Sequence, residues 1–329
     1  MYRSLLVPLD GSPFAEHALP LALGLARRAG AALQLVTVVN PLVAAYLGVP
    51  YDPELEAVAG GRKHAYLDDT ARRMRELSAV PVSTAVLEGA IPAALCAHTA
   101  GGDTDLVVMA THGRGPLSRF WLGSVADELV RRLPVPVLLV RPGEGEVDLA
   151  QEPELGPVLV PLDGSPLAEE VLAPAGDLAR LLGVNITLLR VVKPVPASDI
   201  PDDPPAEREA QALLNRTREV HREVIHEASS YLLGVAERLR AEGLHVGTRV
   251  TVQEQPAAAI LSEAEATGAG LIAVTTHGRR GLVRVLMGSV ADKVVRGAPI
   301  PVLVHRAFGI GPHVKRSGLG SPREVVRPG

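Results

Sequence analysis

One stretch of the chain occurs twice, and it constrains the fold more than any other feature. Its first copy runs from Leu106 to Ser124 and its second from Leu271 to Ser289. Each copy passes from an apolar run into Thr-His-Gly-Arg and ends at Gly-Ser, before a helical pattern. The first amides of a helix have no hydrogen-bond partner within the helix and can bind an anion. A strand followed by a glycine-containing loop and a helix start is therefore typical of phosphate sites. We therefore expect an anion site in each half.

The Gly-Ser step also predicts how the following helix begins. Ser124 precedes Asp127 by three positions, and Ser289 precedes Asp292 in the same way. A serine with an acid three residues later predicts an N-cap close to a capping box. A capped surface helix with no ligand is the alternative interpretation. The equal spacing of the glycines in both copies weakens that alternative but is also consistent with inherited scaffold.

Further motifs repeat and divide the chain into two halves. Val-Pro-Leu-Asp-Gly-Ser places Asp10 and Asp163 at an offset of 153, whereas His112 and His277 stand at an offset of 165. The second half therefore carries a net insertion of 12 residues, which a proline-rich segment and a longer helix can absorb.

The repeats predict four segments along the chain. They are a first domain over residues 1–142, an acidic linker over 143–156, a second domain over 157–306 and a disordered tail over 307–329. The linker has five acidic residues and no basic one, which predicts a solvated segment. Basic residues outnumber acidic ones in the tail, and a weak contact with nucleic acid or a partner is the alternative to disorder there.

Strand-length apolar runs alternate with helical patterns in each half. That order predicts an α/β fold with two tandem, Rossmann-like, doubly wound domains, each a mainly five-stranded parallel sheet flanked by helices. Ligands of such sheets bind beyond the carboxyl ends of the strands, beside the point where the strand order reverses. Residues 41–62 are expected to be irregular, and a helix of roughly four turns is expected around Met74. Pro20 and Pro174 are expected to kink a helix or open a turn.

Composition excludes several classes of protein. The chain is 47% apolar and 21% charged with a net charge of −4, which is globular and gives no basic field for nucleic acid or anionic lipid. No apolar run is long enough to span a bilayer. The single cysteine, Cys96, excludes an internal disulfide and fits a reducing compartment. We expect a cytoplasmic protein that binds neither a membrane nor a specific nucleic acid.

Two aspartates and two histidines are expected to lie near the carboxyl ends of the strands. Asp10 and Asp163 each follow a strand, where a carboxylate could cap the next helix or accept hydrogen bonds from a base amine or a ribose hydroxyl. Both interpretations stay open. His112 and His277 lack a recurring nucleophile or acid at fixed spacing, so we expect them to bond the loop backbone rather than to act in catalysis. Neither G-x-x-x-x-G-K-[ST] nor G-x-G-x-x-G occurs, which disfavours P-loop nucleotidases and nicotinamide dehydrogenases.

Taken together, these motifs resemble the universal stress protein family in its tandem two-domain form. Val-Pro-Leu-Asp-Gly-Ser, Ala-Thr-His-Gly-Arg, Leu-Gly-Ser-Val-Ala-Asp and the closing Pro-Val-Leu-Leu-Val carry the resemblance, which covers residues 2 to 306. It implies a fold of the adenine nucleotide alpha hydrolase type. In ATP-binding members the loop reads G-x2-G-x9-G-[ST]. Both copies here depart at the first glycine, which is Ala110 in one and Thr275 in the other, and the branched threonine puts the second site in more doubt.

The resemblance implies two sets of nucleotide-binding residues, and no catalytic or metal-binding ones. In the first domain they are Pro8, Leu9, Asp10, Val38, Ala110, His112, Gly113, Arg114, Gly123, Ser124 and Val125. In the second domain they are Pro161, Leu162, Asp163, Val191, Thr275, His277, Gly278, Arg279, Gly288, Ser289 and Val290.

Three functions compete at this point. The first is a stress-response regulator that binds ATP, Mg-ATP or another adenine nucleotide with little or no hydrolysis. The second is a scaffold of the same fold that binds no nucleotide. The third, an adenylate-forming or phosphotransfer enzyme, would need a substrate pocket that the sequence does not indicate. If only one half binds nucleotide, the first half is expected to be that one.

The closing strands of the two halves would be sheet edges, which proteins avoid leaving exposed. We expect the strand over residues 136–140 to face the strand over 301–304 within the chain, across a pseudo-twofold axis. Association of two chains as a homodimer is left open.

Overall fold

The computed structural model describes residues 2–40, 53–111, 122–143, 145–153, 155–194, 207–276 and 287–307. The first half contains β1 (Ser4–Pro8), α1 (Pro13–Glu16), α2 (Leu19–Ala29), β2 (Ala32–Val39), α3 (Pro53–Leu77), β3 (Val82–Glu88), α4 (Ile91–Gly101), β4 (Leu106–Ala110), α5 (Ser124–Arg132) and β5 (Val137–Val140). The second half contains β6 (Val158–Pro161), α6 (Pro166–Glu169), α7 (Leu172–Leu182), β7 (Ile186–Val192), α8 (Glu207–Ala241), β8 (Val246–Val252), α9 (Pro256–Ala266), β9 (Leu271–Thr275), α10 (Ser289–Gly297) and β10 (Val302–His305).

The ten strands form one sheet in the order β3-β2-β1-β4-β5-β10-β9-β6-β7-β8. Within each half all pairings are parallel, and the order reverses beside β1 in one half and beside β6 in the other. The predicted fold, two tandem α/β domains with five-stranded parallel sheets, is confirmed.

The two halves meet at β5 and β10, which pair antiparallel. Leu303 lies opposite Leu138, and Val302 lies opposite Leu139. A second contact joins the halves where α2 packs on α7, and there the Tyr2 hydroxyl donates to the Pro174 carbonyl at 3.1 Å. The two five-stranded sheets therefore continue into one another.

Helices cover both faces of this sheet and enclose two apolar cores. One core packs the strands against α2, α3, α7 and α8, and it includes Leu5, Leu35 and Leu303. The other packs them against α4, α5, α9 and α10, and it includes Val36 and Leu139. Each core contains residues of both halves. In the part of the chain described, no helix is both long enough and apolar enough to span a membrane.

The helix after the first strand of each half is divided, as its proline predicts. In the first half α1 ends at Glu16, and α2 begins at Leu19 with Pro20 in its first turn. Proline has no amide hydrogen to donate, so it fits the first turn of a helix better than its interior. The short helix thereby turns the chain between the strand end and the longer helix.

The long helices differ from the prediction in extent. α3 has 25 residues and begins at Pro53, so the predicted irregular stretch over 41–62 is wrong from residue 53 onwards. Gly60 and Gly61 lie inside α3, where each glycine costs only about 1 kcal/mol, which the packing of the helix on β2 and β3 can offset. α8 has 35 residues and so takes up most of the predicted insertion.

Most described residues of the acidic segment between the halves are exposed, but the segment also contacts the first domain. Leu149 is 9% exposed. The Glu152 carboxylate accepts hydrogen bonds from Arg27 at 3.1 Å and from Arg28 at 2.7 Å, and so it fixes the segment on the end of α2. The acidic composition provides partners for these two arginines.

Candidate functional site

The predicted site residues of the first domain that the structure describes lie near the carboxyl ends of β1, β2 and β4 and at the start of α5. β1 and β4 pair through Leu5 with Leu106 and Leu6 with Val107, so their carboxyl ends open at the same edge of the sheet. β6 and β9 pair in the same way in the second domain. These are the places where the strand order reverses, and there the flanking connections diverge and leave a crevice.

A tight turn stands at the end of β1. Asp10 Oδ1 accepts a hydrogen bond from the Ser12 amide at 2.9 Å and another from the Ser12 hydroxyl at 2.6 Å. Gly11 has a φ of 80°, a left-handed conformation that disfavours any residue with a side chain. Ser12 then caps α1 by accepting from the Ala15 amide at 3.3 Å. Asp10 therefore holds the turn before the helix, which is the structural role that the sequence left open.

The second domain repeats this turn. Asp163 Oδ1 accepts from the Ser165 amide at 2.9 Å and from its hydroxyl at 2.6 Å, and Gly164 has a φ of 80°. Asp10 is exposed and Asp163 is half-buried at the mouth of its crevice. The strands end at Pro8 and Pro161. The leucines that follow, Leu9 and Leu162, are buried in the core.

The backbone of β2 directs an acceptor toward the same crevice. The Leu9 amide donates to the Val36 carbonyl at 2.7 Å. Successive residues of a parallel strand face opposite neighbours, so the Val38 carbonyl faces the same side as Val36, beyond the point where β1 has ended. In the second domain the Leu162 amide donates to the Leu189 carbonyl at 2.8 Å, so the Val191 carbonyl likewise faces the side of β6, beyond the end of that strand. Each crevice thus combines a carboxylate and a backbone carbonyl.

On the β4 side, the helix start differs from the prediction in its cap. Gly123, not Ser124, is the N-cap of α5, and glycine has no side chain with which to cap the helix. Asp127 forms an ion pair with Arg131 instead of a capping box. The prediction of a serine N-cap is therefore wrong. Glycine at this position leaves the first-turn amides, including those of Ser124 and Val125, without a capping side chain.

The second domain shows the same arrangement. Gly288 is the N-cap of α10 with no capping side chain, and Asp292 pairs with Arg296 at 2.9 Å. The prediction of a serine N-cap at Ser289 is wrong as well. Ser289 and Val290 are exposed, so the first turn of this helix is open to solvent.

A backbone hydrogen bond joins the residues on either side of each loop. The Gly123 amide donates to the Thr111 carbonyl at 2.9 Å, and the Gly288 amide donates to the Thr276 carbonyl at 2.6 Å. The helix start is therefore held at the end of β4 or β9, directly beside the crevice. A helix dipole adds partial positive charge at that place, which favours an anion.

Ala110 and Thr275, which replace the first glycine of the loop pattern, are the last residues of β4 and β9. Their exposed fractions are 7% and 9%, so both side chains are enclosed by the sheet and its helices. The six loop residues His112, Gly113, Arg114, His277, Gly278 and Arg279 lie outside the described part of the chain.

A cluster that sequence reasoning missed connects the first turn to α3. Glu16 accepts a hydrogen bond from the Tyr66 hydroxyl at 3.0 Å and another from Arg73 at 2.9 Å. Burial, followed by the charge of Glu16, raises the pKa of Tyr66, and Asp10 adds to the effect. The hydrogen bond of Tyr66 to Glu16 thus joins α3 to the end of α1, shortly after the Asp10 turn.

The same cluster recurs in the second domain. Glu169 accepts from the Tyr231 hydroxyl at 2.9 Å and also from Arg238. Burial and the hydrogen bond to Glu169 raise the pKa of Tyr231, with a further contribution from Asp163. The offsets of the repeat could have revealed both clusters, because the glutamates are 153 positions apart and the tyrosines 165.

The arrangement offers acceptors at one side of each crevice and amide donors at the other. Among the described residues, no group of three or more His, Cys, Asp or Glu side chains is placed to hold a metal ion. These groups suit hydrogen bonding and the approach of an anion.

Comparison with known proteins finds relatives of both halves. The model of the family described as "Universal stress protein family" matches residues 1–141 and 154–306. A universal stress protein of Mycobacterium tuberculosis is 32% identical over 206 residues, and the match covers 62% of this chain and 62% of that protein. This chain thus spans less than two thirds of that relative. Another universal stress protein of the same organism is 30% identical over 306 residues, which cover 92% of this chain and 96% of that protein.

A solved structure shares the fold over nearly the whole chain. The crystal structure of a universal stress protein from Archaeoglobus fulgidus has a TM-score of 0.64 at 20% identity, with 92% of this chain and 96% of that chain covered. At this identity the likeness concerns the fold alone.

Proposed function

The chain belongs to the universal stress protein family, and we propose that it binds ATP or a related adenine nucleotide and uses the bound nucleotide to set its conformation or its partners. The observation that carries the proposal is the pairing of two unlike groups in one crevice. Backbone and carboxylate acceptors stand at the end of β1 and β2, and a helix start without a capping side chain stands beside them at the end of β4.

The acceptor side suits the base and sugar of a nucleotide. An exocyclic amine and a ribose hydroxyl are hydrogen-bond donors, whereas a carboxylate and a carbonyl accept. Asp10 and the Val38 carbonyl in the first domain, or Asp163 and the Val191 carbonyl in the second, supply these acceptors.

The helix side suits the phosphates. The first-turn amides of α5 and α10 point away from the helix, and the dipole adds positive charge there. Gly123 and Gly288 have no side chain that would keep a phosphate oxygen from these amides. A ligand that reaches from the acceptors to the helix start is thus a nucleotide rather than a free phosphate or a nucleoside.

We further propose that hydrolysis is slow or absent. Phosphoryl transfer depends on positioned cations and on a group that orients the attacking water. The sequence lacks a Walker-type lysine, and Asp10 is already engaged in the turn with Ser12. Any Mg²⁺ would enter with the nucleotide. The single cysteine, Cys96, fits a reducing compartment, and we place the protein in the cytoplasm.

A second candidate function is a stress-induced scaffold that binds no nucleotide. The observation in its favour is that neither loop keeps the first glycine, since Ala110 and Thr275 stand there with buried side chains. In that case the function would depend on protein contacts of the domain surfaces, either between the two halves of one chain or between two chains in a homodimer.

Calorimetric titration with ATP, with and without Mg²⁺, tests these two functions. The wild-type chain should release heat at both sites, Gly123→Val should abolish the heat of the first domain, and Gly288→Val that of the second. Gly101→Val is the matched control, because Gly101 lies at the exposed end of α4 with no atom within 4 Å of an added Cβ. Its binding should equal that of the wild type.

Absence of heat at an ATP concentration that would saturate a micromolar site, about −8 kcal/mol, would favour the scaffold instead. Heat that both valine substitutions leave unchanged would show that the nucleotide binds elsewhere.

A further inference from the structure

A lysine of the first domain already occupies the acceptor that a nucleotide base would use. Lys63 lies on α3, and its Nζ donates a hydrogen bond to the Val38 carbonyl. The lysine is half-buried, so its ammonium lies within the crevice and not in bulk solvent. Lys63 precedes Tyr66 by three positions, so both lie on the same face of α3, which is the face that contacts Val38 and Glu16.

The second domain has no lysine at this place. The 165-residue offset of the long helices aligns Lys63 with Ala228, whose side chain has no hydrogen-bond donor and is 7% exposed. Among the described residues, a cation of the second crevice comes from β7, where Arg190 donates to the Leu162 carbonyl at 3.1 Å. Its position in the first domain is taken by Thr37. The two crevices thus receive their positive charge from different elements and at different carbonyls.

This difference has a direct consequence for binding. A carbonyl that already accepts from an ammonium must lose that charge-assisted bond before a neutral amine can replace it, and a bond to a charged donor is the stronger of the two. At the Val191 carbonyl, Ala228 presents no such competitor. The same ligand would therefore bind the second crevice without displacing a side chain from this position of α8.

On the basis of the proposed nucleotide binding, we propose that Lys63 occupies the base-amine position of the first domain and makes that domain the weaker of the two nucleotide sites. This reverses the order expected from the loop sequence, which favoured the first domain because Thr275 is branched. Lys63 is a specificity-determining residue in this account. The first site fills only at nucleotide concentrations at which the second is already occupied.

The test removes Lys63 in a full-length chain that has one working site. In the Gly288→Val background, ATP affinity is measured by calorimetry for Lys63→Met and for Arg62→Met. Methionine keeps the length of the lysine stem, and Arg62 is the exposed neighbour of Lys63, so both variants lose one positive charge close to the site. Lys63→Met should bind ATP about fivefold more tightly than Arg62→Met, because the carbonyl no longer has a competing charged donor. Far-UV circular dichroism verifies that both variants fold.

Equal or weaker ATP binding by Lys63→Met would overturn the role of Lys63 while leaving nucleotide binding intact. Gly288→Val leaves only the first site and Gly123→Val only the second, both with Lys63 present. Tighter ATP binding by Gly288→Val than by Gly123→Val would overturn the role of Lys63 as well. No ATP binding by any of these proteins would overturn the proposed function together with the inference.

Discussion

Truncation of the two leucines that face each other between β5 and β10 should show whether the halves form one sheet in solution. Leu138 and Leu303 are directly paired, both are 0% exposed, and both belong to the same core. Leu→Ala removes the equivalent of about three methylene groups at roughly 0.8 kcal/mol each and leaves a cavity, so each single substitution should cost about 2–5 kcal/mol.

The informative quantity is the coupling between the two substitutions. Once one leucine is shortened, the other has already lost its neighbour. The double variant should therefore lose about 0.5–1 kcal/mol less stability than the two single losses added together. Urea denaturation followed by far-UV circular dichroism gives the free energy of unfolding of each variant. If the double alanine variant does not fold, the same cycle with valine keeps the measurement feasible.

A distant pair supplies the control for this cycle. Leu35 on β2 and Leu188 on β7 are also 0% exposed, but seven strand spacings of about 4.8 Å separate them. Their substitutions should add within about 0.5 kcal/mol. The reasoning is refuted if Leu138→Ala and Leu303→Ala are as additive as this remote pair.

Two further predictions concern the turn and the clusters beside the crevice. Gly11→Ala should destabilise the chain by about 1 kcal/mol or more because of its positive φ, whereas Gly61→Ala, within α3, should stabilise it by about 0.5–1 kcal/mol. Thermal unfolding measures both, and equal signs would contradict the assignment. Tyr66→Phe removes a partly buried hydrogen bond to Glu16 and should cost about 1–2 kcal/mol in urea denaturation, as should Tyr231→Phe in the second domain. Because the folded state raises the pKa of Tyr66, its contribution is present below about pH 10 and is lost as the pH rises through the raised value. Above about pH 10 the free energy of unfolding should therefore fall less steeply with pH for Tyr66→Phe than for the wild type. An unchanged slope would count against a raised pKa of Tyr66.

The repeat made most of the fold predictable, because each strand could be located twice. The apolar run over residues 32–39 coincides with β2. The start of α3 was missed because Gly60 and Gly61 read as a break, while the contacts of the helix with β2 and β3 outweigh their low helix propensity. The contacts of the acidic segment could not be predicted, since its composition does not show that Arg27 and Arg28 lie at the end of α2.

The candidate site was only partly accessible from sequence. The turn at Asp10 could be predicted from Asp-Gly-Ser. The N-cap at Gly123 could not, because glycine and serine are both common N-cap residues and stand next to each other here. Tyr66 was within reach of a search at the correct offset, whereas Lys63 was not, since it has no counterpart in the second half. What distinguishes the two crevices therefore emerges only when α3 is placed against the end of β2.

Nucleotide content is the measurement that tests the central claim most directly. Freshly purified protein is denatured, and any released nucleotide is identified and quantified by mass spectrometry. The account predicts an adenine nucleotide, with the amount reduced more by Gly288→Val than by Gly123→Val. A chain that releases no nucleotide, and that gives no heat when titrated with ATP, would contradict it.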